Sequence, residues 1–101
     1  MKKYTVTISA DAELDMEELN DYISNGLKAP LTATRYIAGL YKAIWRLSSS
    51  ADSKAVSQSD YIQSRYGPGA RHIVFKKMVV IYCIDDDYVY IRRVISGSLI
   101  R

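Results

Sequence analysis

His72 is the only histidine in this sequence, and imidazole is the side chain most often used for proton transfer at neutral pH, which makes it the natural general acid or base. Arg71 precedes it, and Lys76, Lys77, Arg92 and Arg101 supply further cations along the second half of the chain. Such a set suits chemistry at a phosphodiester. Cleaving RNA by internal attack needs one group to take a proton from the 2′-OH and another to protonate the leaving oxygen. Cations must also stabilise the phosphorane-like transition state. On that reading His72, Arg71 and Arg92 are catalytic, while Lys76, Lys77, Arg92 and Arg101 hold the target. A plainer reading stands beside it. His72 is then an edge-strand residue with a satisfied hydrogen bond, Lys76-Lys77 a charged hairpin tip, and Arg92 a solvent-facing arginine.

Other chemistries find little support. Asp85, Asp86 and Asp87 are consecutive in a tight turn, where three carboxylates rarely point at one ion, so they read as turn residues and no metal site is expected. There is no Gly-rich phosphate loop, no cysteine–histidine zinc spacing and no nucleophile–base pair in sequence, so no cofactor is expected either. Cys83 is the sole cysteine, sits between Tyr82 and Ile84, and reads as core. The nine tyrosines can stack on bases, but several fall on core stripes and belong to packing first.

Length and composition set the frame for these residues. A chain of 101 residues with 49% hydrophobic and 25% charged residues is enough for one compact domain over 1–101 and too little for two. No apolar run reaches the roughly 18 residues of a membrane span, and nothing at the start reads as a signal peptide, so a cytoplasmic protein without membrane contact is expected. Residues 1–60 hold seven Lys/Arg and eight Asp/Glu, a net of −1; residues 61–101 hold seven Lys/Arg and three Asp, a net of +4, and the two sum to the +3 of the whole. The basic character lies in the second half, where a negatively charged partner (RNA, DNA or an acidic protein segment) would meet it.

The elements that must position the candidates follow from periodicity. Tyr4 to Ile8 alternates and is rich in β-branched residues, which predicts a strand. Ser9 stands as a helix N-cap with Asp11 and Glu13 in the first turn. Ala12, Met16, Leu19 and Ile23 form one helical face, and Asn25-Gly26 is expected to end the helix in the left-handed conformation. Pro30 and Thr32 open a second helix with the stripe Ala33, Ile37, Leu40, Ile44 and Leu47. Gly39 interrupts it at a cost of about 1 kcal/mol relative to Ala, for which close packing is the expected reason. Between Ser48 and Ala70 the chain turns polar, and a short strand or helical turn is expected near Asp60-Tyr61-Ile62.

Three strands follow, Arg71 to Phe75, Val79 to Ile84 and Tyr88 to Ile95, joined by Lys76-Lys77 and by Asp85-Asp86-Asp87. The order β-α-α-β-β-β predicts an α+β domain of two layers, an antiparallel helix hairpin packed on one face of a small antiparallel sheet. Strict alternation places Val89, Ile91, Arg93 and Ile95 toward the helices, and Tyr88, Tyr90, Arg92 and Val94 on the open face. Arg93 is then a largely buried cation that requires a carboxylate, expected from the first helix.

Several stretches resemble the RelE/ParE superfamily of toxins from type II toxin–antitoxin systems. Ile8-Ser9-Ala10-Asp11-Ala12-Glu13 followed by Asp21-Tyr22-Ile23 is similar to the start of their first helix. Thr34-Arg35-Tyr36-Ile37, Leu40, Ala43-Ile44 and Arg46-Leu47 are similar to their second. The strongest match runs from Val79 to Asp87 and continues through Val89-Tyr90-Ile91 and Arg93-Val94-Ile95 to Gly97. The resemblance implies a growth-inhibiting toxin of the plasmid-stabilisation type, a cognate antitoxin as partner in a hetero-oligomer, and exposed apolar patches where that antitoxin folds on binding. By analogy with ParE the target is DNA gyrase; by analogy with RelE it is ribosome-bound mRNA, cut as an endoribonuclease; an inactive relative would keep antitoxin binding alone. Ser96 and Ser98-Leu99-Ile100-Arg101 replace the His and the Arg-Arg-Asp-like end of many ParE members. Val79 and Ser98 stand where RelE-like nucleases carry basic residues. The missing cations favour the gyrase analogy.

Overall fold

A computed structural model describes residues 2–100. Strand β1 (Thr5–Ile8) leads into helix α1 (Ala10–Asp21), which ends in a π-helical turn, Tyr22–Gly26, before helix α2 (Pro30–Trp45). A short helix α3 (Leu47–Ser50), a 3₁₀ turn (Ala51–Ser53) and helix α4 (Asp60–Tyr66) precede the strands β2 (Arg71–Phe75), β3 (Met78–Asp85) and β4 (Tyr88–Ser96). Ser9 caps α1, its hydroxyl accepting from the Ala12 N–H at 3.0 Å. The left-handed residue of the α1–α2 link is Lys28, with φ 55°, rather than Asn25 or Gly26. Asn25 and Gly26 are instead absorbed in the wider π turn.

The sheet order is β1-β4-β3-β2. The β2–β3 and β3–β4 pairs are antiparallel, as the short hairpins require. The third pair is not: β1 runs parallel to β4, Thr5 opposite Tyr88 and Ile8 opposite Ile91, so the sheet is mixed rather than antiparallel. Alternation along a strand is the same for either direction of its neighbour, so the sequence pattern of Tyr4 to Ile8 carries no sign of it.

Ala12, Met16, Leu40, Ile44 and Leu47 pack with Met78, Val80, Tyr82, Val89, Ile91 and Val94 in the main core between helix hairpin and sheet. The Tyr82 hydroxyl is buried there and donates to the Ala51 carbonyl at 2.8 Å, fixing the segment after α3. Burial pushes its pKa up to about 12. Gly39 is explained by the sheet: a Cβ there would come within 2.7 Å of Cζ of Phe75. The other face of the sheet also carries a core. Ile62 and Ala70 cover Val79, Ile81 and Ile95, with Tyr61, Tyr66 and Ile100 around them. The helical turn expected at Asp60-Tyr61-Ile62 therefore exists as α4, and β3 is buried on both faces.

Candidate functional site

The register of β3 against β4 slips between Ile81 and Tyr82. Ile81 pairs with Arg93 and Tyr82 with Ile91, leaving Arg92 as the extra residue of a β-bulge. The bulge ends the strict alternation. Up to Ile91 the expected faces hold, but beyond it Val94 joins the helix-side core and Ile95 the other. Arg92 is left exposed on the outer face, its guanidinium 3.9 Å from Sγ of Cys83 and 5.6 Å from the centre of the Tyr66 ring. Below it on the same strand, Tyr88 and Tyr90 stack in the open at 5.9 Å.

Arg93 is half-buried rather than largely buried, with 37% of its side chain exposed, because the slipped register holds it beside the sheet edge instead of inside the core. The carboxylate does come from the first helix. Asp15 receives Nε at 2.7 Å and an Nη at 2.9 Å, a bidentate pair that raises the Arg93 pKa further. Its signal in the sequence was its position, three residues after Ala12 and four before Leu19, on the apolar stripe of α1.

His72, on edge strand β2, pairs across the ladder with Ile81 and so faces outward with the second core. Its Nδ1 lies 3.0 Å from the hydroxyl of Ser57, a residue only 2% exposed and not singled out by its sequence context. Arg71, its neighbour, pairs with Tyr82 and therefore starts from the opposite face. Its guanidinium donates to the carbonyls of Asp52 and Lys54, which ties down the segment after α3. Lys76 takes a left-handed conformation in the β2–β3 turn, and its ammonium lies 5.2 Å from the Tyr36 ring. Lys77 is exposed and lines a groove at that end of the molecule. Arg101 lies outside the described residues. The outer face thus gathers His72, Arg92 and the tyrosines, while Arg71 and Lys76 belong elsewhere.

Two grooves flank the helix hairpin. One, of about 500 Å³, runs between α1 and α2 over Met16 and Ile37 and is rimmed by Glu13 and Glu17. Tyr41 lines the same groove; burial first, then the charge of the Glu13 carboxylate, raises its phenol pKa. The other, of about 490 Å³, is lined by Leu19, Tyr22, Ile23, Leu27 and Met78, with Lys77 at its edge. Tyr22 and Leu27 are more than half exposed there and leave apolar surface in water at the groove. Among the described residues no group of three His, Cys, Asp or Glu is placed to hold a metal, and no helix is long and apolar enough to cross a membrane.

The solved structures that share this fold include two from toxin–antitoxin systems. One is a chain of the chromosomal ParDE toxin–antitoxin system from P. aeruginosa, with TM-score 0.78 and 16% identity, over 93% of this chain and 96% of that one. The other is a chain of the RelBE2 toxin–antitoxin complex from Mycobacterium tuberculosis, with TM-score 0.64 and 21% identity, over 93% of this chain and 98% of that one. No curated protein matches the sequence significantly. The model of the ParE toxin of the type II toxin–antitoxin system parDE matches residues 6–100. With both the helix hairpin and the meander inside that match, the chain belongs to the family of ParE toxins of type II toxin–antitoxin systems.

Proposed function

We propose that this chain inhibits bacterial growth by binding DNA gyrase, without cutting RNA, and that a cognate antitoxin silences it. The observation that carries the reading is the separation of the cations. Internal cleavage of RNA needs positive groups around one phosphate, within hydrogen-bond reach of an acid or base. Arg71 is committed to the Asp52 and Lys54 carbonyls from the face opposite His72, and Lys76 sits over Tyr36 at the hairpin end. Among the described candidates that leaves Arg92 sharing the outer face with His72. Binding makes no such demand, and Arg92, Lys77 and Arg101 remain its candidate contacts. The antitoxin reading is supported by the two grooves beside the helix hairpin, which offer apolar floors to a segment that folds on binding.

The rival is ribosome-dependent mRNA cleavage, favoured by one feature: His72, Arg92 and the stacked pair Tyr88 and Tyr90 face the same way. Controlled expression in bacteria separates the readings. A DNA-damage response with intact transcripts is expected for gyrase binding. Codon-positioned cuts in mRNA on translating ribosomes, without that response, would make the chain a nuclease. Unimpaired growth at verified soluble expression would leave only an inactive relative that keeps antitoxin binding.

A further inference from the structure

We propose that this chain associates with a second copy of itself through the open half of the sheet's outer face. Helix α4 covers that face over β2 and the start of β3, but nothing among the described residues covers β1 and the first half of β4. Tyr88 is 46% and Tyr90 38% exposed there, stacked on each other, with Thr5 and Thr7 beside them in register. The surface holds a recess of about 460 Å³ lined by Thr7, Cys83, Asp85, Tyr90 and Arg92.

The two charges at this recess determine what fits it. Asp85 stands opposite Tyr88 on β3, and the Arg92 guanidinium reaches Sγ of Cys83, two residues along the same strand. Carboxylate and guanidinium therefore lie over one strand, separated by roughly 7 Å of strand rise. Neither has an ion-pair partner among the described residues. A twofold axis lying in the interface and crossing the strands between them lays each guanidinium on the other copy's Asp85. A surface with this pattern is complementary to itself. A polyanion would satisfy Arg92 but meet Asp85, Asp86 and Asp87 at the same end, and a basic segment would meet Arg92. The tyrosine stack then packs against its counterpart, removing apolar area that the monomer leaves in water. Few side chains are involved, so the interface falls below the standard size and the association is weak.

Sedimentation equilibrium of the antitoxin-free chain, from about 10 μM to 1 mM, tests this directly. The weight-average mass should climb from 11.4 kDa toward about twice that value. Arg92→Asp and Asp85→Arg, each juxtaposing like charges across the twofold, should weaken association at least about tenfold. The double variant Asp85→Arg/Arg92→Asp restores both pairs and should return to within about threefold of the parent. Thr7→Glu, which alters neither charge of the pair, should give the same loss as the single charge reversals, and circular dichroism reports that each variant is folded. A mass that stays at one chain throughout overturns the proposal. So does a dimer that the single changes leave intact, or a folded double variant no better than its parents.

Discussion

Asp15 of α1 and Arg93 of β4 form a bidentate ion pair across 78 positions of sequence, and the same Asp15 carboxylate accepts the Val94 N–H at 2.9 Å. β1 ends at Ile8, opposite Ile91, so β4 continues past the strand that would have taken that N–H. Ser9 closes the join, its hydroxyl donating to the Arg92 carbonyl at 3.0 Å. One helical carboxylate thus stands in for the missing piece of ladder and anchors the helix layer to the sheet.

From this relationship Asp15→Ala should be the more damaging change. It removes two charge-assisted contacts and leaves a backbone N–H unsatisfied, a loss of about 2–3 kcal/mol. Arg93→Ala should cost less, about 1–2 kcal/mol, because its side chain is partly in water and Asp15 keeps the Val94 N–H. Arg92→Ala should fall below about 0.5 kcal/mol, as at an ordinary surface position. Urea unfolding of the three variants checks the order, and equal small effects would show that Asp15 is not the anchor.

Gly39 should resist replacement in a way that depends on one partner. Ala is favoured over Gly in a helix by about 1 kcal/mol, but its Cβ would meet the Phe75 ring, itself held edge-on by Tyr36 at 5.4 Å. Gly39→Ala should therefore destabilise the protein by about 1–2 kcal/mol. In a Phe75→Leu background the same change should become neutral or stabilising. A double-mutant cycle by thermal or urea unfolding reads the sign reversal.

Tyr82 links stability to alkaline pH. Its folded pKa is raised to about 12 by burial, above the ordinary value of 10.0. The neutral phenol is therefore the form the fold prefers. This contribution is complete below pH 10 and is lost as pH rises toward 12, because the unfolded chain gives up the proton first. The loss should reach about 2 kcal/mol by the upper end. Tyr82→Phe should be less stable than its parent at neutral pH, having orphaned the Ala51 carbonyl, and should close that gap between pH 10 and 12. Urea unfolding of both proteins across that window measures it.

His72 discriminates binding from catalysis. If the chain poisons gyrase by contact, His72→Ala should leave growth inhibition nearly intact, while charge reversal at Arg92 or Arg101 should weaken it. If His72 is an acid or base for mRNA cleavage, the same change should reduce cutting by about a hundredfold or more. Plating efficiency alongside primer-extension mapping reads both. The charge-swapped Asp85→Arg/Arg92→Asp chain adds a control: regained self-association without regained toxicity would mark Arg92 as a target contact.

The sequence by itself determined the layers of this protein. The stripe of Ala12, Met16, Leu19 and Ile23, the second stripe from Ala33 to Leu47, and the doubly apolar strand at Val79 to Ile84 are local patterns, and hydrophobic burial acts on them wherever the chain goes. The requirement of Arg93 for a carboxylate from the first helix was legible for the same reason: a cation drawn toward a core needs a counter-charge. Tertiary structure decided what local pattern cannot encode. The parallel direction of β1 depends on how the whole crossover returns to β4, and the same alternation serves either direction. The bulge at Arg92 arises from the register of β3 against β4; it moved Val94 to the helix side and Ile95 to the other, a shift that alternation along one strand cannot reveal. The candidate site was divided in the same way. Arg71 and His72 are adjacent in sequence, but pleating sends them to opposite faces, one to the carbonyls of Asp52 and Lys54 and the other to Ser57. Ser57 itself lies in a polar stretch with no periodicity to mark it, and only the packing of α4 onto the outer face buried it beside a histidine.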